Sequence, residues 1–241
     1  MRSHVALPGL ACLLLAAAAR GEDCRTAADR TASSPLTGIE RIEIETQAGD
    51  LHVTGAPGAT AAEARGKACA SGDDMLEGIT LEMERADKVL RITSKTPAGS
   101  MLRMFGRASY ARLDLYITIP ANLPVTLVDT SGDLEVAGVA ALDLKDDSGD
   151  ILVHDIARDV TIDDDSGDLT VTNVKGNVTL KDRSGDIKVR NVGGTVEVTS
   201  DTSGDIDVQE VAHGLIVRSD SSGEINFSGV HGNVEIPART H

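Results

Sequence analysis

The chain has 241 residues, a formal net charge of −15, an aromatic content of 2% and no Trp. This length allows one sizeable domain, or a small domain with an elongated repeat array, and it excludes two large independent domains. A surface this acidic repels nucleic acid and anionic lipid, so neither is an expected partner.

Residues 1–21 are predicted to be a secretory signal peptide. Arg2 and His4 precede an apolar stretch, Val5–Ala19, which ends in small residues suited to cleavage. The stretch is broken by Pro8 and is shorter than the roughly 20 residues that cross a bilayer. We therefore expect no transmembrane segment and an exported protein, located in the periplasm, secreted, or at the surface of a bacterium.

A Ser- and Thr-rich leader, residues 22–37, follows the signal peptide. It contains Cys24, and the only other cysteine left after cleavage is Cys69. In an oxidising compartment a disulfide between these two residues is the default expectation. No CxxC spacing and no clustered His supports a redox or metal pair instead.

Residues 38–128 are predicted to form a β-rich N-terminal cap. Alternating apolar segments begin at Ile39, Ile79, Val89 and Leu113. The first segment contains Ala48-Gly49-Asp50, a degenerate copy of a turn that recurs further along the chain. Terminal units of a repeat array must cover an open edge, which is the role we expect for this region. The basic, apolar stretch Met101–Arg107 either packs on the end of the array or forms a partner-binding patch.

Residues 129–236 contain six copies of a unit of roughly 18 residues, each opening with the turn D-x-S-G-D/E. The copies begin at Asp129, Asp146, Asp164, Asp182, Asp201 and Asp220. Five apolar positions follow each turn, and in the third copy they are Leu169, Val171, Val174, Val178 and Leu180. The later copies are one residue longer, and the extra residue is predicted in the turn before the Asp.

Strands this short do not form a stable hairpin alone, so the units must stack as coils with parallel strand pairing. The predicted fold is all-β: a single-stranded parallel β-solenoid, similar to a β-helix, of about six coils. A short tail, residues 237–241, follows it.

The S-G-D units recur along the chain, and the segments Leu113–Pro120 and Val125–Asp133 lead into the first of them. Together these sequences resemble the putative adhesin family of bacterial envelope proteins. The members of this family are β-strand-repeat domains of unknown function. The resemblance covers about residues 38–236. It implies a solenoid and an envelope setting, and it supplies no catalytic residues.

Stacked coils place the acidic residues of the turns in two columns. The first residues of the turns form one column, and the other contains Asp133, Asp150, Asp168, Asp186, Asp205 and Glu224. Like charges about 5 Å apart repel by roughly 1 kcal/mol per pair in water. The repulsion is offset either by Asx-type capping with solvent screening, or by calcium bound between coils.

The capping interpretation predicts no metal and no cofactor. The calcium alternative uses Asp146, Asp164, Asp182, Asp201, Asp150, Asp168, Asp186 and Asp205.

The charge of the chain is concentrated on the repeats, where residues 129–236 carry 23 acidic and 8 basic residues. Six equivalent serines without an accompanying His are typical of turns and not of nucleophiles.

We predict a non-enzymatic, adhesin-like binding or scaffold protein of the cell envelope that acts through its repetitive acidic surface. Its expected partner is an envelope protein or a polysaccharide, and rods of this kind can also associate end to end. The alternatives are a polysaccharide-active parallel β-helix enzyme and a calcium-responsive structural rod.

Overall fold

The computed structural model describes residues 24–97 and 109–238. The predicted signal peptide, the Met101–Arg107 stretch and the last three residues of the tail lie outside the described residues. The N-terminal region contains β1 (Thr26–Pro35), β2 (Arg41–Glu45), β3 (Leu51–Ala56), β4 (Ala61–Ala70), α1 (Asp73–Glu77), β5 (Thr80–Ala86), β6 (Val89–Lys95) and β7 (Ala111–Pro120).

The remaining strands cover the repeats and the approach to them. They are β8 (Pro124–Asp129), β9 (Leu134–Ala137), β10 (Ala141–Asp146), β11 (Ile151–Ile156), β12 (Val160–Asp164), β13 (Leu169–Val174) and β14 (Val178–Lys181), followed by β15 (Ile187–Val192), β16 (Thr195–Ser200), β17 (Ile206–Val211), β18 (Gly214–Val217), β19 (Ile225–Val230) and β20 (Asn233–Glu235).

Two ten-stranded sheets form the molecule. Sheet A has the strand order β1-β4-β7-β3-β9-β11-β13-β15-β17-β19, and sheet B has the order β20-β18-β16-β14-β12-β10-β8-β2-β6-β5. Successive repeats add one parallel strand to each sheet, so that Val171 pairs with Val153 on one side and with Val189 on the other. This arrangement confirms the predicted parallel β-solenoid.

The core lies between the two sheets and is built from the apolar template of the repeats. In the third copy Leu169, Val171 and Val174 are at most 1% exposed, whereas alternate residues such as Thr170 face away from the core. Burying each aliphatic side chain contributes roughly 1.5 kcal/mol or more. At the far end, Ile225 and Val230 are only half-buried because β19 is the edge strand of sheet A.

The parallel stack continues below the first repeat. β2 pairs in parallel with β8 and β3 pairs in parallel with β9, while β6 and β7 add a further parallel layer. Ala48, in the degenerate turn, forms a bridge with Ser131 in the first repeat turn. The antiparallel strands β1, β4 and β5 then lie outside this layer.

Cys24 and Cys69 form a disulfide, as predicted, with a Cα–Cα distance of 5.4 Å. The bond ties the residues before β1 to β4, in which Cys69 is itself buried. None of the helices in the described ranges is long and apolar enough to span a membrane.

Candidate functional site

A glycine in each repeat turn sets the spacing of the acidic columns. Gly167 has a φ of +136°, and a Cβ atom there would lie 1.9 Å from the carbonyl oxygen of Gly149 in the preceding coil. Only glycine fits, because both the left-handed backbone and the close approach exclude a side chain. The acidic residues on either side of the glycines are consequently stacked in register.

The first acidic residues of the first five turns form what we call the inner column: Asp129, Asp146, Asp164, Asp182 and Asp201. Each is at most 2% exposed. Asp164 Oδ1 accepts a hydrogen bond from the Ser166 amide (3.3 Å), and Asp182 Oδ1 accepts one from the Ser184 amide (3.2 Å). These bonds are the predicted Asx-type caps. The prediction that solvent screens these carboxylates is wrong, because the turn folds over them and removes them from water.

Burial changes the protonation of the inner column. It is the main cause that raises the pKa of Asp146 and Asp182 to about 7 and that of Asp164 and Asp201 to about 6. Neighbouring carboxylates add to the effect, as Asp129 and Asp164 do for Asp146. Neither oxygen of Asp146 has a well-formed hydrogen bond within the described part of the chain. At neutral pH the inner column therefore carries less negative charge than its composition suggests.

The inner column ends on a neutral partner. Thr46 occupies the corresponding position in the β2–β3 layer, and its hydroxyl donates a hydrogen bond of 2.6 Å to Asp129 Oδ1. Burial still raises the pKa of Asp129. The threonine therefore closes the column without adding another carboxylate.

The last acidic residues of the turns form the outer column, which lies on the surface. Asp150 Oδ1 accepts a hydrogen bond from the Asp168 amide, Asp168 Oδ1 accepts one from the Asp186 amide, and Asp186 Oδ1 accepts one from the Asp205 amide, each at 3.0 Å. Each aspartate thus uses one carboxylate oxygen to cap the next coil. Its other oxygen is not needed for the stack.

The serines of the turns have a structural role. Ser166 Oγ donates to the carbonyl oxygen of Asp147, and Ser184 Oγ donates to that of Asp165. The hydroxyl of each turn therefore bonds to the backbone of the coil before it. This agrees with the prediction that these serines are turn residues.

A groove of about 390 Å³ runs beside the outer column on the outward face of sheet A. Its lining includes Asp133, Asp150, Asp168, Leu152 and Thr170. Leu152 is 39% exposed, which is unusual for an aliphatic side chain in this protein. The groove therefore combines an apolar floor with an acidic rim.

Two histidines converge on one glutamate at the end of this groove, and sequence analysis missed the cluster. His52 Nδ1 lies 3.0 Å from Glu135 Oε2, and His154 Nε2 lies 3.2 Å from Glu135 Oε1. The other nitrogen of His154 is 2.8 Å from Asp155 Oδ2, and these bonds raise the pKa of His154. The same contacts lower the pKa of Glu135.

An aromatic contact extends the cluster. The ring of His52 stacks on that of Tyr116 with a centroid distance of 4.6 Å. These residues come from β3, β7, β9 and β11. His52 and Glu135 each lie two residues after the last aspartate of a turn, Asp50 and Asp133, so the degenerate turn could have placed them side by side. Tyr116 and His154 do not occupy that repeated position, and only the strand register brings them to the cluster.

The structure separates the residues of the calcium alternative into two different environments. Asp146, for example, is buried in the inner column, whereas Asp150 is exposed and capped onto the next coil. Within residues 24–97 and 109–238, no group of three His, Cys, Asp or Glu side chains is arranged to hold a metal ion.

Comparison with protein families identifies the architecture. Residues 39–239 match the family described as Toastrack DUF4097. The chain belongs to the Toastrack family. The match includes the β2–β3 layer as well as all six repeats, and it supports the resemblance that the S-G-D units indicated. No curated protein matched this Toastrack chain.

Several solved structures are similar to this Toastrack protein at low identity. A putative adhesin from Bacteroides fragilis is 15% identical, covers 88% of this chain and 97% of its own, and has a TM-score of 0.43. A putative cell adhesion protein from Clostridium sporogenes is 14% identical, with coverages of 87% and 100% and a TM-score of 0.41. A putative lipid binding protein from Parabacteroides distasonis is 15% identical, with coverages of 86% and 96% and a TM-score of 0.36.

Proposed function

We propose that this Toastrack protein is a non-enzymatic binding or scaffold module of the bacterial cell envelope, which presents its outer column to a cationic partner. The observation that carries the proposal is the regular capping of the outer column. Because the next coil holds one oxygen of each aspartate in place, the carboxylates are preorganised, and little side-chain entropy is lost when a partner binds.

The distribution of charge supports the same function. The net charge of −15 lies within residues 129–236, and parallel strands repeat about every 4.8 Å, so the rod presents a dense line of negative charge. Such a surface increases the rate at which cationic partners associate. The described carboxylates of the turns run in straight columns along the rod, whereas hydrolysis of a polysaccharide requires carboxylates that converge on a cleft.

The test is the binding of a fluorescent basic peptide to the mature protein, followed by anisotropy at increasing salt. The triple variant Asp150→Asn, Asp168→Asn and Asp205→Asn removes three charges, while the Asn side-chain oxygens can still cap the next coil. The control Asp143→Asn, Glu82→Gln and Glu84→Gln removes three exposed charges from sheet B. We expect the first variant to bind at least several-fold more weakly than the control. Equal loss in both variants, or no binding by the wild type, would contradict the proposal.

A further inference from the structure

The chain itself contains a lysine bound to the outer column. Lys188 Nζ lies 3.8 Å from Asp168 Oδ2 and 3.6 Å from Asp186 Oδ2. The Oδ1 atoms of the same two aspartates cap the following coils. One ammonium group is therefore placed between the second oxygens of two consecutive aspartates of the outer column.

Leu152 and Thr170 occupy the position of Lys188 in the two preceding coils. Strand register pairs Leu152 with Thr170, and Thr170 with Lys188. Because leucine and threonine are shorter than lysine and uncharged, the space beside the outer column stays open there, and this space is the groove. In the described ranges no lysine or arginine forms an ion pair with Asp133 or Asp150.

We propose that the groove binds a lysine side chain of a partner protein, with its ammonium group between Asp133 and Asp150 and its alkyl stem over Leu152. The bound ammonium would take the place that Lys188 takes two coils further along. This inference rests on the proposed function and adds to it the binding site and the chemical group that is bound.

The chemistry of the groove favours lysine over arginine. One oxygen of each aspartate in the outer column already accepts a hydrogen bond from a backbone amide, which disfavours the two-pronged pairing of a guanidinium with a single carboxylate. An ammonium group with three donors can instead bridge two aspartates. The apolar floor at Leu152 suits the four-carbon stem of lysine and not the hydroxylated ring of an amino sugar.

Because the histidine cluster already engages Glu135, Asp133 and Asp150 are the carboxylates of the groove that can attract a cation. Both oxygens of Glu135, at the end of the groove, already lie within hydrogen-bond distance of His52 and His154. Asp133 and Asp150 each use one oxygen on the backbone of the adjacent coil. The negative charge that is free to pair with a ligand therefore lies on the aspartate side.

The experiment measures the affinity of a fluorescent hexalysine peptide for four variants of the mature protein. Leu152→Lys places a lysine of the protein itself in the groove, where it occupies the proposed site. The control Thr161→Lys adds the same charge at an exposed position of sheet B. We expect Leu152→Lys to weaken binding about two- to fivefold more than Thr161→Lys does, the range of one exposed ion pair.

A second pair of variants removes a lysine instead of adding one. Lys188→Thr continues the groove by one coil, whereas Lys181→Thr removes a lysine that pairs with Asp163 on sheet B. Lys188→Thr is expected to tighten binding about two- to fivefold more than Lys181→Thr. Since it shortens an exposed side chain, this variant remains informative if Leu152→Lys fails to fold.

Each outcome decides between the two proposals. If the members of each pair bind equally while wild-type binding weakens with salt, the groove assignment is wrong and the proposed function stands. If the wild type does not bind the peptide, both are wrong. Tighter binding of hexaarginine or of a glucosamine oligomer than of hexalysine would overturn the assignment to lysine.

Discussion

Asp146 and Asp164 lie directly opposite each other on β10 and β12, and both carboxyl groups are almost completely removed from water. Their pKa values of about 7 and about 6 exceed the value of about 3.9 in an unfolded chain. Between these values the folded state binds more protons than the unfolded state. The stability from these groups is therefore fully present below about pH 4 and is lost as the pH rises through 6 to 7.

We accordingly expect the protein to be more stable at pH 5 than at pH 8, by an amount on the order of 1 kcal/mol for each buried aspartate. Urea unfolding at the two pH values measures this difference. The triple variant Asp146→Asn, Asp164→Asn and Asp182→Asn should show a smaller difference and should be more stable than the wild type at pH 8. His154, whose raised pKa has the same sign of effect, is present in both proteins and cancels. An unchanged pH dependence in the triple variant would rule out this role for the inner column.

A second prediction concerns the glycine column. Gly167→Ala places a Cβ atom 1.9 Å from the Gly149 carbonyl oxygen at a φ of +136°, so the coils must move apart. We expect a loss of about 2 kcal/mol or more in unfolding free energy. Gly72→Ala is the control, because Gly72 has an extended backbone with no atom within 4 Å of the new Cβ. Similar unfolding free energies for the two variants would contradict the close stacking of the turns.

A third prediction separates a capped rod from a calcium-binding rod. If the outer column only caps backbone amides, 1 mM calcium should shift the melting temperature no more than a monovalent salt of equal ionic strength. Calcium bound between coils would instead add about 1.4 kcal/mol per site at a free concentration ten times the Kd. We expect the first result. A calcium-specific rise that is lost in the Asp150→Asn, Asp168→Asn and Asp205→Asn variant would show the second.

A fourth prediction concerns the disulfide. Cys24 and Cys69 are separated by 45 residues in the sequence, and a loop of that length corresponds to about 4 kcal/mol in the chain-entropy estimate. Cys24→Ser should lower the unfolding free energy by up to this amount, and a reducing agent should lower that of the wild type but not of the variant. Free thiols at both positions in protein purified from the exported fraction would show that the bond is not formed.

The repeat determined much of the fold from sequence alone. A strict apolar template with a period of two residues has only one face that can be buried, so Val171 and Val189 had to share an inward column. The extra residue of the longer coils was predicted in the turn, but the structure places it at the end of the strand. Leu180 pairs with Val198 and Lys181 with Ser200, so Thr199 is the extra residue and forms a bulge within β16, two residues before Asp201.

Tertiary structure decided how residues that look equivalent in the sequence differ in environment. Asp164 and Asp168 open and close the same turn, yet the first is buried and the second is exposed, because the turn folds over one carboxylate and leaves the other on the surface. The sequence placed them in separate columns but not on different sides of the solvent boundary. The groove likewise depends on which side chain of an outward column is short. Its end depends on the stacking of His52 on Tyr116, two residues that meet only through the pairing of β3 with β7. A repeat specifies the contacts that recur in every coil, whereas a contact that occurs once is set by the register of distant strands.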